Sequence, residues 1–281
     1  MVIKDCLIKV CGLLKNSTND NPIFEGHLIV RHFLKMTPME LVLDGDREID
    51  EEILKLIDDA VSRRLKNEPL QYILSSQEFM GLEFYVDKNV LVPRSDTETL
   101  VEHILSEFVK KPFMGLDIGT GTGCIAVSLA HFSKLSHIRG IDISEETVKI
   151  AKRNAQQNMV SERTCFEVAD IFTYSCFGKY DLIVSNPPYI ETDIIPTLSD
   201  DVKNFEPISA LDGGVDGLDY YRHIVSFAPS VLRENGMLAF EVGHTQAKVV
   251  ADMMEKEFCD IKIVKDLCGI ERVVSGRKKS R

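Results

Sequence analysis

The segment 113–130 most constrains the fold, because it reads as a strand, a glycine loop and a helix in direct succession. The loop consists of Gly119, Thr120, Gly121, Thr122 and Gly123. Glycine allows the backbone to turn tightly and to come close to a ligand. The apolar run that begins at Cys124 then predicts a helix. This unit therefore predicts a ligand-binding turn within an α/β protein.

The same alternation of strands and helices continues along the chain. Strands are predicted near 113–118, 137–142, 164–169, 180–185 and 236–242, and helices near 122–132, 145–158 and 219–234. Such a pattern predicts an α/β, Rossmann-like, doubly wound sheet, which binds ligands at the carboxyl ends of its strands. If the first and fourth strands are neighbours, the glycine loop and the chain after residue 185 share one site. The segments 261–264 and 272–274 are expected to close the sheet as a hairpin-like pair.

Acidic residues at the strand ends indicate what the loop binds. Asp142 ends the second strand, where an acid can accept both hydroxyls of a ribose. Asp170 is placed to meet an adenine amino group, and Ile171 could pack on the ring. The loop also fits the G-x-G-x-x-A dinucleotide fingerprint, so the ligand stays ambiguous on this signal alone. Asp117 beside the loop suits the ammonium and sulfonium of S-adenosylmethionine better than a pyrophosphate.

The tetrapeptide Asn186, Pro187, Pro188 and Tyr189 follows the fourth strand, which must end there because proline cannot continue it. The Asn186 side-chain oxygen and the Pro187 carbonyl could accept both N–H bonds of a planar NH2 group. Tyr189 could lie on one face of that group. The nitrogen of a planar NH2 group is a weak nucleophile, because its lone pair is delocalised. Holding this nitrogen and aiming it at an electrophile therefore promotes its reaction more than a base does. A strand end capped by a tight turn is the structural alternative, since Asn-Pro often begins turns.

Residues 1–70 follow a different pattern, which predicts a small helical domain. Thr37 and Glu40 flank Pro38 as in a capping box, and Asp50 precedes an amphipathic helix. The helical spacing over 1–35 is interrupted at 16–22. The apolar residues Phe79, Phe84, Val86, Val90 and Val92 then suggest a linking strand pair.

Together these segments resemble one family, the HemK/PrmC-type protein-(glutamine-N5) methyltransferases that modify release factors. The resemblance is strong from about Pro69 to Gly276 and weak over 1–68. The matching blocks are Pro69–Ile73, Glu78–Phe84, Leu91–Arg94 with Thr97 and Glu98, Asp117–Gly123, Asn186–Tyr189 and Phe205–Leu218. The last block is specific, because nucleic-acid methylases that share Asn-Pro-Pro-Tyr are not expected to carry it. Ser95 departs from the family, which often has proline there.

The resemblance implies a substrate, a methyl donor and a domain plan. The substrate would be the glutamine of the Gly-Gly-Gln loop of class I release factors, and S-adenosylmethionine would be converted to S-adenosylhomocysteine. Donor contacts would come from Gly119 to Gly123, Asp142, Asp170, Ile171 and Asn186, and the glutamine clamp from Asn186 to Tyr189. The plan comprises a helical substrate-docking domain over 1–74, a β-hairpin linker over 75–93 and a catalytic domain over 94–281.

The composition indicates which classes of partner and cofactor the chain is expected to bind. A net charge of −11 argues against a protein that tracks nucleic acid through its phosphates, and it suits a basic protein partner. The seven cysteines form no C-x-x-C pair and the seven histidines show no ligand spacing, so we expect reduced thiols and no metal. We expect a cytoplasmic monomer that binds neither DNA nor membranes.

Four other readings stay open. A paralogue could methylate a glutamine of a ribosomal protein, and sequence separates the two poorly. An adenine-N6 DNA or RNA methyltransferase shares the amine clamp, but we find no basic, aromatic-rich recognition segment. An NAD-linked dehydrogenase would leave Asn186 to Tyr189 unexplained. A module that retains the fold without catalysis is disfavoured, because both sites are intact in the sequence.

Overall fold

The computed structural model describes residues 1–15, 21–175 and 179–280, which group into two compact units. The first unit comprises Met1–Ser75 with Ser199–Phe205, and the second comprises Ser76–Leu198 with Glu206–Arg281. Most of the interruption expected over 16–22 lies outside the described residues. Because the second unit begins at Ser76, it contains nearly all of the predicted hairpin linker over 75–93 together with the sheet. The functional plan of three segments stays a prediction.

The first unit is helical, as expected. Numbered in chain order, its helices are α1 (Ile3–Leu14), α2 (Pro22–Leu34), α3 (Pro38–Leu43), α4 (Glu51–Arg64), α5 (Leu70–Leu74) and the short α9 (Asp200–Lys203). The capping box is confirmed: the Glu40 N–H donates to the Thr37 hydroxyl, and the Thr37 N–H donates to the Glu40 carboxylate. A Cβ on Gly26 would lie 2.7 Å from the Cys11 sulfur, so close packing of α1 on α2 explains this glycine within a helix.

The second unit is a mixed sheet covered by helices. Its strands are β1 (Gln77–Phe79), β2 (Leu82–Phe84), β3 (Met114–Ile118), β4 (His137–Asp142), β5 (Thr164–Val168), β6 (Tyr180–Ser185), β7 (Leu232–Glu241), β8 (Phe258–Lys265) and β9 (Glu271–Lys278). Its helices are α6 (Asp96–Glu107), α7 (Cys124–Phe132), α8 (Glu145–Gln157), α10 (Asp219–Val231) and α11 (Ala247–Met254). Over the described residues, β3 to β9 form a seven-stranded sheet in the order β5-β4-β3-β6-β7-β9-β8.

The topology confirms the arrangement on which the site depends. β3 and β6, the first and fourth predicted strands, are parallel neighbours in which Ile118 pairs with Ser185. The Ser185 hydroxyl donates to the Ile118 carbonyl at 2.7 Å and joins the two strand ends. The expected closing pair is also present, because β9 lies antiparallel between β7 and β8.

The structure differs from the expectation in the linker and in two helices. The hairpin is short, and Val86, Val90 and Val92 are buried outside regular strands. Pairing stops because the Asn154 side chain takes over the hydrogen bonds of Tyr85, accepting from its N–H at 2.8 Å and donating to its carbonyl at 3.0 Å. The helices α6 and α11 were not predicted.

No helix in the described part of the chain is long and apolar enough to cross a membrane. The described cysteines are all free. No group of side chains among the described residues could hold a metal ion.

We predict that Glu107 ties α6 to β8 and β9 in a pH-dependent way. Its carboxylate accepts from Lys262 at 2.6 Å and from Arg277 at 2.9 Å, and these hydrogen bonds lower its pKa from 4.5 to about 2. The ionised carboxylate therefore stabilises the fold above pH 4.5, and this contribution is lost as the pH falls toward 2. Glu107→Gln should cost about 1–2 kcal/mol of unfolding free energy at pH 7, since solvent screens the half-exposed Lys262.

Urea denaturation of both proteins at several pH values measures this effect. The difference between wild type and Glu107→Gln should shrink below pH 4. A difference that is constant with pH would contradict the role of the charge.

Candidate active site

A cleft opens at the carboxyl ends of β3, β4 and β6, within the second unit. It contains about 1050 Å³ of space, part of which is open to solvent. The lining includes residues of the glycine loop, the ends of β4 and β5, the turn after β6, and two walls at 89–97 and 207–210. The predicted edge of the sheet therefore carries a ligand-sized cleft.

The glycine loop forms the floor of the cleft. Gly119 and Gly121 have φ angles of +69° and +55°, a region that favours glycine. The N–H groups of Gly119 and Thr120 donate to the Ile141 carbonyl at 2.9 Å, which fixes the loop to β4. A Cβ added at Gly119 would meet no atom within 4 Å, so the space beside the loop is open to a ligand.

Asp142 is held at the end of β4 by the backbone. One carboxylate oxygen accepts from the Gly121 N–H at 3.0 Å, and the other accepts from the Ser144 N–H at 3.1 Å. Burial raises the pKa of Asp142, and these donors oppose that rise. Each oxygen of an ionised carboxylate can accept more than one hydrogen bond, so Asp142 can also receive the two hydroxyls of a ribose.

The far end of the cleft suits a flat aromatic ring. Ile171 is buried and lines the cleft together with Tyr220. One Asp170 oxygen accepts from the Phe172 N–H at 2.9 Å, which orients the carboxylate within the lining. An adenine amino group could reach Asp170 while the ring packs on Ile171.

The turn after β6 borders the opposite end of the cleft. Asn186, Pro187 and Pro188 all line it, and the Asn186 amide nitrogen donates to the Thr97 hydroxyl oxygen at 3.2 Å. Pro187 is buried and Asn186 is half-buried. The turn therefore presents its polar groups next to the glycine loop, as expected from the pairing of β3 with β6.

The segment 206–218 braces this turn. The Ile190 N–H donates to the Leu211 carbonyl at 3.0 Å, and the Gly213 N–H donates to the Ile190 carbonyl at 2.8 Å. A Cβ on Gly213 would lie 2.8 Å from the Pro188 carbonyl oxygen, and one on Gly217 only 2.3 Å from the Tyr189 carbonyl oxygen. These glycines are needed because the two backbones touch.

Three of the predicted site residues lie behind the lining of the cleft. Asp117 is fully buried, accepts from the Thr120 hydroxyl at 2.6 Å and has its pKa raised to about 7 by burial. Gly123 packs against Ala151 of α8. Tyr189 is partly buried and does not line the cleft, and burial raises its pKa to about 12. In the structure, these three residues pack behind the residues that line the cleft. Their direct contacts with ligands stay predictions.

Several lining residues were not predicted as site residues. The wall at 89–97 is anchored by the Thr147 hydroxyl, which donates to the Asn89 carbonyl at 3.0 Å. Arg94 forms an ion pair with the buried Glu206, which joins this wall to the other. Both walls belong to blocks that carry the family resemblance, and that signal could have identified Arg94 and Thr97 as site residues.

The residues present fit S-adenosylmethionine. The open space beside Gly119, the twofold acceptor Asp142 and the apolar Ile171 match an amino-acid end, a ribose and an adenine, in that order. Asp117 adds a buried carboxylate with one oxygen that has no partner among the described residues. Among its described residues, the lining of the cleft contains no cluster of positively charged side chains, which a bound pyrophosphate would favour.

We predict that Gly123 is required by both backbone conformation and packing. Its φ is +79°, and an added Cβ would lie 3.2 Å from the Ala151 Cβ. Gly123→Ala should lower the unfolding free energy by about 2–4 kcal/mol, from backbone strain and overpacking. It should also weaken S-adenosylmethionine binding, because Gly123 ends the glycine loop and a shift of its backbone would move the loop residues that line the cleft.

Gly269→Ala is the matched control, since Gly269 has a φ of +82° but nothing within 4 Å of an added Cβ. It should cost about 1–2 kcal/mol from strain and leave donor binding unchanged. Urea denaturation and donor-induced thermal shifts measure both quantities. Equal losses in the two variants would show that packing on α8 does not matter.

Comparisons with known proteins show which domains and which fold this chain shares. A methyltransferase small domain model matches residues 94–197, and a PrmC N-terminal domain model matches residues 5–74. Among solved structures, a methyltransferase from Pyrococcus furiosus shares the fold at a TM-score of 0.53 and 18% identity, covering 79% of this chain and 100% of that one. The Rossmann-like methyltransferase fold is therefore confirmed.

Curated relatives identify the family. The release factor glutamine methyltransferase of Clostridium acetobutylicum is 39% identical over 278 residues, covering 98% of each chain. That of Geobacter sulfurreducens is 41% identical over 267 residues, covering 95% of this chain and 93% of the relative. This chain therefore belongs to the release factor glutamine methyltransferase family of S-adenosylmethionine-dependent enzymes.

Proposed function

We propose that this protein transfers a methyl group from S-adenosylmethionine to the side-chain amide nitrogen of the glutamine in the Gly-Gly-Gln motif of class I release factors. The observation that carries this proposal is the parallel pairing of β3 with β6, which brings the glycine loop beside Asn186. The names of the relatives support the choice of substrate.

The bound donor would supply an electrophilic methyl group on a sulfonium. The glycine loop, Asp142, Asp170 and Ile171 would hold it at the floor and far end of the cleft. Because the loop N–H groups and the Asp142 carboxylate are already fixed by hydrogen bonds, little reorganisation is needed on binding. These residues therefore bind and orient the donor and leave the chemistry to the nitrogen that approaches it.

Asn186 and Pro187 would act on that nitrogen. An amide nitrogen is a weak nucleophile, and deprotonating it at neutral pH is costly. Two acceptors, the Asn186 side-chain oxygen and the Pro187 carbonyl, can hold both N–H bonds and aim the nitrogen at the methyl carbon. As the nitrogen gains positive charge, the same acceptors bind its N–H groups more strongly, which lowers the barrier. The surplus proton then leaves to water.

The same reasoning supports a plan for the whole protein. We propose that the helical unit docks the release factor, that the enzyme acts as a cytoplasmic monomer, and that it binds neither DNA nor membranes. The net charge of −11 supports a basic protein partner over nucleic acid.

The substrate is tested by mass spectrometry of the organism's own release factors after incubation with the enzyme and S-adenosylmethionine. We expect one methyl on the Gly-Gly-Gln peptide, because the curated relatives are named for release factor glutamine. Ribosomal proteins and adenine-containing DNA serve as parallel substrates. Methyl found only on one of these would refute the proposed substrate and retain the chemistry.

Asn186→Ala should raise the activation barrier by about 2–4 kcal/mol, because it removes one preorganised acceptor. Single-turnover rates measure this loss, and S-adenosylmethionine binding reports the integrity of the cleft. Asn235→Gly is the matched control, since Asn235 is exposed, has a φ of +61° and lies outside the lining. Near-normal turnover of Asn186→Ala would rule out the clamp.

A further inference from the structure

Glu241 is a buried carboxylate that the proposed mechanism does not use. It ends β7, is 3% exposed, and its Oε2 has no hydrogen-bond partner among the described residues. Ser185 of β6 pairs with Phe240 of β7, so Asn186 and Glu241 follow at equivalent positions on neighbouring parallel strands. The carboxylate therefore lies directly beside the turn that would clamp the substrate.

Thr97 of α6 connects the two side chains. The Asn186 amide nitrogen donates to the Thr97 hydroxyl oxygen at 3.2 Å. Hydrogen bonds from Thr97 and from Asn186 to Glu241 lower the pKa of its carboxyl, against a larger rise caused by burial. Thr97 is itself 3% exposed, so water does not compete for its hydroxyl.

The direction of these hydrogen bonds follows from chemistry. The Thr97 hydroxyl oxygen accepts from the Asn186 NH2 group, because an amide nitrogen can only donate. The hydroxyl hydrogen is then left to donate to the Glu241 carboxyl. With its nitrogen held toward Thr97 and Glu241, the Asn186 amide must turn its oxygen the other way, toward the cleft.

This orientation matters because an asparagine amide can also rotate by half a turn. In the reversed orientation, Asn186 would present donors to the donors of a substrate NH2 group. We propose that Glu241 is a positioning residue that, through Thr97, fixes the Asn186 amide with its oxygen facing the cleft. The inference deepens the proposed function and rests on it, since it assumes that Asn186 receives the substrate amide.

Among the described residues, Glu241 forms no ion pair that would explain an acid at this position. Burial raises the pKa of Glu241 to about 7, and of the neighbouring charges Arg272 lowers it while Asp96 raises it. Arg272 is engaged elsewhere, with Asp96 at 3.0 Å and with Asp266 at 3.2 Å. A buried carboxylate without a paired cation destabilises a fold, so Glu241 costs stability that an amide would not.

The test uses Glu241→Gln, which keeps the shape but can donate as well as accept. We expect kcat for the release factor to fall about 10- to 100-fold, because a misdirected clamp misplaces the nitrogen. The KM for the release factor and the Kd for S-adenosylmethionine should stay within about twofold, and Tm should be unchanged or higher. Glu107→Gln, a matched loss of a carboxylate outside the cleft, should lower Tm and leave kcat unchanged.

A double-mutant cycle separates this role from a general structural one. In an Asn186→Ala background, Glu241→Gln should cause less than about a twofold further loss of kcat, since the residue through which it acts is gone. Thr97→Val, which has the same shape without a hydroxyl, should lose kcat as Glu241→Gln does, and Thr97→Ser should retain more activity than Thr97→Val. Thr97→Val also tests the proposal should Glu241→Gln not fold.

Two results would overturn the inference. One is normal kcat in Glu241→Gln together with a large loss in Asn186→Ala, which refutes the role of Glu241 and keeps the clamp. The other is an equal loss from Glu241→Gln with and without Asn186. Near-normal kcat in Asn186→Ala would instead refute the clamp itself, so failure of the proposed function is distinguishable.

Discussion

The parallel pairing of β3 with β6 is the constraint on which the site depends. Two parallel strands end at the same edge of a sheet, so whatever follows them must meet there. After β3 the chain makes the glycine loop, and after β6 it makes the proline turn, with the Ser185 hydroxyl joining the two ends at 2.7 Å. The glycine loop and the proline turn therefore meet without any long connection, and the rest of the unit holds this edge in place.

Both sides of the edge are held by contacts between backbones. The glycine loop is tied to β4 through the Ile141 carbonyl, and the turn after β6 is tied to the segment 206–218 through Ile190 and Gly213. Close contact of this kind leaves no room for side chains, which explains glycine at 213 and 217. Rigid support suits a mechanism that depends on aiming a weak nucleophile, since orientation is lost if the acceptors can move.

Stability and function oppose each other at this edge. Asp117 and Glu241 are both buried, and burial raises the pKa of each to about 7. In each case one carboxylate oxygen has no partner among the described residues. Such groups weaken a fold, so their place beside the predicted site works against stability. In contrast, Glu107 outside the cleft is fully paired and stabilises the fold.

The sequence by itself determined the strands, the glycine loop, the proline turn and the family, because each depends on local periodicity or on residues adjacent in the chain. Ser144 and Asp50 likewise cap their helices as residue type predicts. Tertiary structure alone decided that Asp117 and Tyr189 lie behind the lining, since burial depends on what packs from distant parts of the chain. It also brought Thr97 and Glu241 to Asn186, because hydrogen bonds between α6, β6 and β7 join residues far apart in sequence and have no periodicity to read.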